Sequence, residues 1–364
     1  MSLPPSKSLQ THLPQVFAGL SNQVQGHRST LTSFFRAQMA PGETVCVTGA
    51  GGFIASWVVK LLLEKGYNVK GTVRSPEKSQ HLLAFDGAHD RLQLVAADIR
   101  TPGIFDSIFE GCDGVFHIAS FVPGNDKLIP EAEIEEISIK GTLNVLESCA
   151  KTRPKRIVFT SSLMAVNLTP KATPGTVVDE TFFTDVDFVR KSELNPYAKA
   201  YATGKTLAEE AAWDFVKKHN LNLVVMNPVF VVGPVIQPTL NATNEFPVDL
   251  LSGKQEVILN HSTVWVGVKD VANAHVLGYE NPEAEGRYIL AERSLHDFDF
   301  AALLQKLFPQ YTVKARKNND DQPRVPVYAV STKKVREHLG LQFEPLEDVL
   351  RETIECFRKL KYLD

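Results

Sequence analysis

The sequence predicts an α/β protein in which parallel strands form one doubly wound sheet, followed by a smaller C-terminal lobe. From Glu43 to Pro228, short β-branched runs alternate with helical segments, which is the rhythm of strands joined by crossover helices. After Pro228 this rhythm gives way to proline-rich and asparagine-rich stretches. Such a change in composition indicates a second unit with its own packing.

Hydrophobic periodicity predicts the individual elements. Residues 44–48, 53–64 and 68–73 read as strand, helix and strand, which together make one βαβ unit. The further predicted strands are 92–96, 114–119, 156–160 and 221–226, and the further predicted helices are 134–149, 198–218, 268–278, 298–307 and 346–360. Parallel strands of this kind are joined by right-handed crossovers.

The chain is expected to have three segments. Residues 43–230 form the first domain and 231–364 the second lobe, with 264–276 returning to the first domain because its pattern is a strand followed by a helix. Residues 1–42 contain no acidic residue, whereas the average of the chain predicts about five. They are therefore a disordered leader or a transit-like segment, so the protein is cytoplasmic or, through residues 1–38, directed to a plastid or other organelle.

Bulk composition excludes several classes of partner. The chain is 43% hydrophobic and 22% charged, with a formal net charge of -3, so it lacks the positive excess that binds nucleic acid or anionic membranes. Its four cysteines lie far apart without a C-x-x-C pair, and neither a metal site nor a disulfide framework is predicted. A small-molecule partner is expected, and the chain is expected to act as a monomer or homodimer.

A glycine-rich turn joins the first predicted strand to the first helix. Residues 48–56 read TGAGGFIAS, where glycines allow backbone N–H groups at a helix N-terminus to approach a pyrophosphate. The spacing that matches is Gly49-x-x-Gly52 followed by a small residue at Ala55, rather than G-x-G-x-x-G. Inside a βαβ unit, this turn predicts a dinucleotide site of the Rossmann type, with contacts from Gly49, Gly51, Gly52, Phe53 and Ile54.

The end of the second strand indicates which dinucleotide binds. An NAD site commonly offers a carboxylate there to the ribose 2′-hydroxyl, but residues 72–78 read TVRSPEK. The guanidinium of Arg74, with Lys78 nearby, suits a 2′-phosphate. NADP is therefore predicted as the cofactor, although Arg74 also fits a solvated loop charge.

A tyrosine and a lysine lie four residues apart on one face of the helix predicted at 198–218. Tyr201 and Lys205 can act together because the spacing stacks them one turn apart. To exchange protons near neutral pH, the phenol pKa must fall by about two units from its usual value near 10. A buried ammonium and an oxidised nicotinamide can supply the required field. Tyr197, one turn earlier, is an alternative phenol but has no lysine four residues later.

Hydroxyl groups close the strand predicted at 156–160. Ser161 and Ser162 follow it and so lie at the carboxyl edge of the sheet, where open α/β folds bind their ligands. One of them can polarise a carbonyl oxygen as a hydrogen-bond donor. A pair of serines is also an ordinary turn signal, so this assignment depends on the neighbouring motifs.

Taken in order, these motifs resemble those of the extended short-chain dehydrogenase/reductases. More narrowly, the chain is similar to the plant cinnamoyl-CoA reductase and dihydroflavonol reductase group. The resemblance is carried by residues 45–57, 114–119, 158–162, 207–213 and 287–290. It implies an NADPH-dependent reductase of a phenylpropanoid-type carbonyl.

The resemblance also implies roles for individual residues. Ser162, with Ser161 in reserve, would polarise the carbonyl, Tyr201 would donate the proton, and Lys205 would bind the ribose. The implied cofactor contacts are Asp98 and Ile99 near the adenine, Ile118, Ala119 and Ser120 along the pyrophosphate, and Pro228, Val229, Phe230 and Val231 near the nicotinamide.

Two departures from the group's pattern concern the substrate. Cinnamoyl-CoA reductases commonly read NWYCYGK at the catalytic helix, whereas residues 199–205 read KAYATGK. Phe246 stands where those enzymes carry a histidine linked to CoA recognition. A CoA thioester and a free aromatic aldehyde or ketone therefore both stay open.

Two other functions are compatible with the motifs. A non-catalytic NADP-sensing regulatory protein would bind the nucleotide without chemistry, but it has no need of the Tyr201 and Lys205 pair. An NAD-dependent sugar-nucleotide epimerase or dehydratase would use the same pair, but Arg74 disfavours NAD.

Overall fold

Seven parallel strands form the central sheet. The structure is a computed structural model that describes residues 42–120, 130–173, 175–318 and 322–364. The unit from Glu43 to Asp364 contains all of its strands and helices. The strands β1 to β14 are Thr44–Thr48, Asn68–Val73, Leu92–Ala96, Gly114–His117, Arg156–Thr160, Val177–Val178, Leu223–Pro228, Phe230–Val232, Val257–Ile258, Ser262–Gly267, Gly286–Leu290, Arg293–His296, Arg316–Lys317 and Ala329–Val330.

Eleven α-helices and two 3₁₀ turns connect these strands within the described residues. The helices α1 to α11 are Phe53–Glu64, Ala88–Arg91, Asp106–Phe109, Glu131–Thr152, Val186–Lys191, Pro196–His219, Ala242–Ser252, Val268–Glu280, Asp297–Leu307, Lys333–Leu339 and Leu346–Lys359. The 3₁₀ turns are Pro76–Ala84 and Leu163–Ala165. No helix among the described residues is long and apolar enough to cross a membrane.

Helices cover both faces of the central sheet. On one face, α4 and α6 bury a cluster that includes Cys46, Ile157 and Val225 of the sheet. On the other, α8 lies so close that a Cβ at Gly114 would be 2.2 Å from the Tyr279 ring. Strands β4, β5 and β7 are buried along their whole length, as expected of parallel strands covered on both faces. The predicted doubly wound parallel sheet is confirmed.

The strand order reverses between β1 and β4, and this reversal places the ligand crevice. From β1 the sheet proceeds through β2 and β3 in one direction and through β4, β5 and β7 in the other. Open α/β sheets bind ligands outside the carboxyl ends of the strands at such a point. The glycine turn after β1 and the residues after β4 and β5 therefore surround one crevice.

A second hydrophobic core lies apart from the central sheet. A three-stranded sheet of β12, β10 and β8 packs with α7, α9 and α11 around Trp265. The indole of Trp265 stacks on the ring of Phe300 with centroids 3.9 Å apart, and Phe246 lies 5.8 Å from Phe300. Large stacked aromatic rings contribute both buried area and geometry to a core.

After β10 the chain returns to the central sheet. Helix α8 packs against α1, and β11 then pairs in parallel with β7 at the edge of the central sheet. The segment 264–276 covers the end of β10 and most of α8. Strand β11 lies beyond it.

Element boundaries differ from the predicted ones for local reasons. The strand expected at 114–119 ends at His117, because the N–H groups of Ile118 and Ala119 donate to the Thr48 hydroxyl instead of to a neighbouring strand. The helix expected at 198–218 begins at Pro196, because the Asn195 side chain accepts from the Ala198 N–H at 2.8 Å and caps it. The leader, residues 1–42, lies outside the described residues except for Gly42.

A buried carboxyl makes stability depend on pH. Asp270, in the first turn of α8, is 7% exposed and accepts a hydrogen bond from the Glu344 N–H at 3.1 Å. Burial raises the pKa of Asp270 to about 7, and the charges of Glu344 and Glu292 act in the same direction. Between the unfolded value of about 3.9 and the folded value, the unfolded state loses this proton first. Native stability therefore falls as pH rises through that window.

We expect Asp270→Asn to remove this part of the pH dependence. Near pH 4 the free energy of unfolding of the variant should equal that of the wild type or be slightly lower, and near pH 8 it should be higher. Urea unfolding at both pH values measures this. Asp348, an exposed carboxyl in the first turn of α11, provides the matched control. Asp348→Asn should leave the difference in unfolding free energy between the two pH values unchanged. A constant difference between Asp270→Asn and the wild type at both pH values would contradict the assignment.

Candidate active site

The glycine turn after β1 is fixed to the loop after β4. Gly49 has φ +66°, and a Cβ there would lie 3.0 Å from the Ala119 Cα, so only glycine fits without displacing that backbone. The Thr48 hydroxyl accepts from the Ile118 N–H at 3.1 Å and from the Ala119 N–H at 3.0 Å. Two segments predicted to line the cofactor are thereby held against each other.

His117 completes this junction, and sequence reasoning did not single it out. Because the Thr48 oxygen accepts two N–H groups, its own hydrogen is available for His117 Nδ1, 3.0 Å away. Burial lowers the pKa of His117 to about 3, and the charge of Lys205 adds to this effect. The imidazole is therefore neutral, with its proton on Nε2. Its position inside the 114–119 motif was the only available signal.

The N-terminus of α1 is built to receive an anion. Gly52 occupies the N-cap position without a side-chain cap among the described residues, so N–H groups of the first turn, at Phe53 and Ile54, are left for a ligand. A Cβ at Gly51 would lie 2.8 Å from the Ser79 Oγ, so glycine lets the 3₁₀ turn approach. The residues present fit a dinucleotide pyrophosphate.

Arg74 follows directly after β2, beside this turn. It is exposed, and its charge helps to lower the pKa of Asp98, after the hydrogen bonds from Arg100. An exposed guanidinium at this position suits a ribose 2′-phosphate. The side chain of Lys78 lies outside the described part of the structure, so its predicted contact stays a prediction.

The residues predicted near the adenine have protein partners. The carboxylate of Asp98 accepts hydrogen bonds from the Arg100 side chain, with a distance of 2.6 Å between Oδ2 and Nη2. The carbonyl of Ile99 accepts from Asn144 Nδ2 at 3.0 Å. Ile99, Ala119 and Ser120 line one small cavity with Lys205. Their adenine and pyrophosphate contacts remain predictions.

The residues predicted near the nicotinamide span the end of β7 and the start of β8. Pro228 is buried at the end of β7, and the Val229 N–H donates to the Leu290 carbonyl at 3.3 Å. Phe230 places its ring edge-on to Trp265, 5.0 Å between centroids, and Val231 is buried. The Phe230 side chain therefore packs on the second core, and the nicotinamide contacts of these four residues remain predictions.

Helix α6 and the end of β5 bring the three predicted catalytic side chains together. The Ser162 hydroxyl accepts from the Met164 N–H at 3.2 Å, and Ser162 acts to lower the pKa of the Tyr201 phenol. Lys205 Nζ donates to the Thr160 carbonyl at 3.1 Å and lies 6.0 Å from the centre of the Tyr201 ring. This is the arrangement expected of a proton donor with a neighbouring cation and a carbonyl-polarising hydroxyl.

The structure distinguishes the two serines by their contacts. Ser161 is 2% exposed, and its hydroxyl has no hydrogen-bond partner among the described residues. Ser162 acts to lower the pKa of the Tyr201 phenol. Tyr197, the alternative phenol, is 42% exposed and lies at the first turn of α6. These placements favour Ser162 and Tyr201 for the predicted roles.

Burial shifts the pKa values of the phenol and the ammonium in the directions opposite to those that their expected chemistry requires. Burial raises the pKa of Tyr201 above its usual value, and the Ser162 hydrogen bond only partly offsets this. The expected fall in the phenol pKa is therefore absent with the protein groups alone, Lys205 included, so the positive charge of a bound oxidised nicotinamide would have to supply it. Burial also lowers the pKa of Lys205 to about 8, and Glu209 opposes this shift.

A second histidine, also missed in the sequence, holds the acceptor of Lys205. His275 Nδ1 lies 2.7 Å from the Val271 carbonyl and therefore carries the proton. Its Nε2 then accepts from the Thr160 hydroxyl at 2.7 Å. This contact fixes the position of Thr160, whose carbonyl accepts the hydrogen bond from Lys205. Only the tertiary structure reveals it, because Thr160 and His275 are 115 residues apart.

Comparison with known proteins places the chain among plant reductases. It is 49% identical over 326 residues to a Medicago truncatula protein named cinnamoyl-CoA reductase CAD2, covering 88% of this chain and 97% of that protein. It is 44% identical to cinnamoyl-CoA reductase 1 of Petunia hybrida, covering 88% and 94%, and 37% identical to a dihydroflavonol 4-reductase of Dianthus caryophyllus, covering 88% and 89%. The resemblance predicted from the motifs is confirmed.

Similar solved structures and a matching family model support the same relationship. Vestitone reductase from alfalfa matches with a TM-score of 0.75 at 30% identity, covering 88% of this chain and 99% of that one. Gre2 from Candida albicans in complex with NADPH matches with a TM-score of 0.76 at 29% identity, covering 87% and 99%. The model of the NAD dependent epimerase/dehydratase family matches residues 45–291. The chain therefore belongs to the NAD dependent epimerase/dehydratase family.

Proposed function

We propose that this chain is an NADPH-dependent reductase of a phenylpropanoid-type carbonyl that works by hydride transfer. The observation that supports it most is that the Lys205 ammonium lies 6.0 Å from the centre of the Tyr201 ring, on the helix beside Ser162, in the crevice next to the glycine turn. NADPH, when bound, supplies the hydride. Cinnamoyl-CoA reductases among the relatives and the NADPH complex of Gre2 support the same assignment.

Each side chain has a distinct task. Ser162 holds the substrate carbonyl oxygen by hydrogen bonding, and Tyr201 gives that oxygen its proton as negative charge develops. Lys205 stabilises the phenolate that remains and binds the cofactor ribose, while the Thr160 carbonyl orients its ammonium. The glycine turn and the N-terminus of α1 hold the pyrophosphate.

Phe246 does not decide between the two classes of carbonyl substrate left open by the sequence. Its ring lies 6.2 Å from Trp265 and 5.8 Å from Phe300, so the side chain packs on the second core instead of offering a polar group. A CoA thioester and a free aromatic aldehyde or ketone both suit the Ser162 and Tyr201 pair, which contacts only the carbonyl.

A panel of substrates tests the proposed function. NADPH oxidation should be followed by absorbance with hydroxycinnamoyl-CoA esters, cinnamaldehydes and dihydroflavonols, and we expect turnover with at least one class. NADPH binding without turnover of any of them would replace the proposal by a regulatory nucleotide sensor. Tightly retained NAD in the purified protein, with sugar-nucleotide conversion, would replace it by an epimerase or dehydratase.

Arg74 is expected to select NADPH over NADH. Charge-assisted hydrogen bonds to a phosphate contribute about 1.5–3 kcal/mol, so Arg74→Ala should raise the dissociation constant of NADPH by about 10- to 100-fold. The affinity for NADH should change little, as measured by quenching of protein fluorescence. Arg351→Ala, an exposed arginine on α11, is the matched control. Equal losses for both nucleotides in Arg74→Ala would contradict the assignment.

A further inference from the structure

A buried ion pair adjoins the site without taking part in the proposed chemistry. Glu209 lies on α6, one turn beyond Lys205, and Arg287 lies on β11, with Nε and Oε1 2.7 Å apart. Their side chains are 2% and 5% exposed. Desolvating two charges is costly, and a buried pair is often no more stabilising than apolar residues of the same size. Stability alone is therefore a weak explanation for it.

The contacts of this pair lead to the loop that carries Ser162. Asn227 Nδ2, at the end of β7, lies 3.0 Å from Glu209 Oε2 and 3.1 Å from the Ser162 carbonyl. Arg287 Nη2 donates to the Ala165 carbonyl at 3.0 Å. One charged pair therefore joins α6, which carries Tyr201 and Lys205, to both ends of the turn that begins with Ser162.

The pair also acts on Lys205 through charge. Glu209 is the charged group that favours the ammonium form of Lys205 against burial. The other titratable groups near Lys205 are Tyr201 on the same helix and His117 on β4. The phenol is neutral at neutral pH and the imidazole is neutral as well, so neither supplies a compensating negative charge.

We propose that Glu209 and Arg287 are positioning residues, which hold the Ser162 turn against helix α6 and place a carboxylate one turn from Lys205. This role rests on the proposed reductase function. The two parts are linked because the same carboxylate accepts a hydrogen bond from Asn227 and lies one helical turn from Lys205.

The decisive variant is Glu209→Gln, which keeps the shape of the side chain and removes its charge. We expect kcat to fall about 10- to 100-fold, with NADPH affinity within about twofold of the wild type because no cofactor contact is altered. The alkaline limb of the pH profile of kcat should move to lower pH by about half a unit or more. Glu210→Gln, the exposed neighbour on α6, is the matched control and should leave kcat and the profile unchanged.

A double variant separates positioning from stability. Glu209→Gln with Arg287→Met removes both charges, so folding should be recovered if the single variant is unstable. We expect this variant to keep the lowered kcat and the shifted profile even when its unfolding midpoint matches that of the wild type. Recovery of wild-type kcat and profile in the double variant would overturn the proposal, because the pair would then be structural only.

A measurement independent of turnover distinguishes this proposal from the proposed function. The Lys205 side chain can be titrated by NMR in protein labelled with ¹³C-lysine, with its signal assigned by loss in Lys205→Met. We expect the midpoint of Lys205 to fall in Glu209→Gln and not in Glu210→Gln. An unchanged midpoint would overturn the charge role, whereas an inactive wild type with the expected shift would count against the reductase assignment alone.

Discussion

Replacing Tyr201 with phenylalanine should reduce turnover by about 10²- to 10⁴-fold and leave NADPH affinity within about twofold. The substitution removes one oxygen and keeps the ring in place on α6. The substrate oxygen loses its proton donor. Because the loss occurs in the chemical step, kcat should fall while the dissociation constant of NADPH, from fluorescence titration, stays nearly unchanged.

Tyr197→Phe is the matched control for this experiment. Tyr197 lies one helical turn before Tyr201, has the same chemistry and is 42% exposed, so its loss should leave kcat within about twofold of the wild type. A large loss in Tyr197→Phe with retained turnover in Tyr201→Phe would assign the proton donor to the other phenol. Loss of NADPH binding in Tyr201→Phe would show that the ring orders the crevice instead.

The central sheet was predictable because its signals are local. Strands β1 and β2 and helix α1 match the predicted bounds, since β-branched runs, a glycine turn and one amphipathic helix follow each other within 30 residues. The same locality placed Gly49 and the pair Tyr201 and Lys205. Each of these predictions depends on a periodicity or a spacing that only one secondary structure satisfies.

The remainder depends on contacts between distant parts of the chain. Strand β11 was not predicted, because a short buried run at residues 286–290 has no periodicity that separates it from a loop until β7 pairs with it. Thr48 and His117 are 69 residues apart in the sequence, and Arg287 and Glu209 are 78 residues apart. Such buried polar pairs carry no sequence spacing rule, so the groups that support the site appear only when the fold is known.

The burial of Lys205 could not be predicted from the sequence either, because the four-residue spacing predicts only that Lys205 lies near Tyr201. The ammonium is 7% exposed, and burial lowers its pKa to about 8. At neutral pH it therefore remains mostly protonated, while above pH 8 the charge that stabilises the phenolate is lost. The direction of this shift predicts that activity declines on the alkaline side as Lys205 loses its proton.

Lys205→Met should reduce kcat by about 10²- to 10³-fold, because it removes a preorganised cation from a water-poor crevice and keeps a side chain of similar length. In the oxidative direction, with an alcohol and NADP⁺, the remaining rate should increase up to higher pH than in the wild type. The phenol, whose pKa burial already raises, must then ionise without the neighbouring ammonium. Steady-state rates from pH 6 to 10 in both directions measure this.

Lys217→Met provides the control, since Lys217 is exposed on the same helix. It should retain the kcat and the pH profile of the wild type. If Lys205→Met kept the wild-type profile, the ammonium would serve only to bind the ribose, and the effect would then appear in the NADPH dissociation constant. A change confined to kcat and its pH dependence instead assigns Lys205 to the proton transfer, since a binding group alone does not alter the ionisation of the phenol.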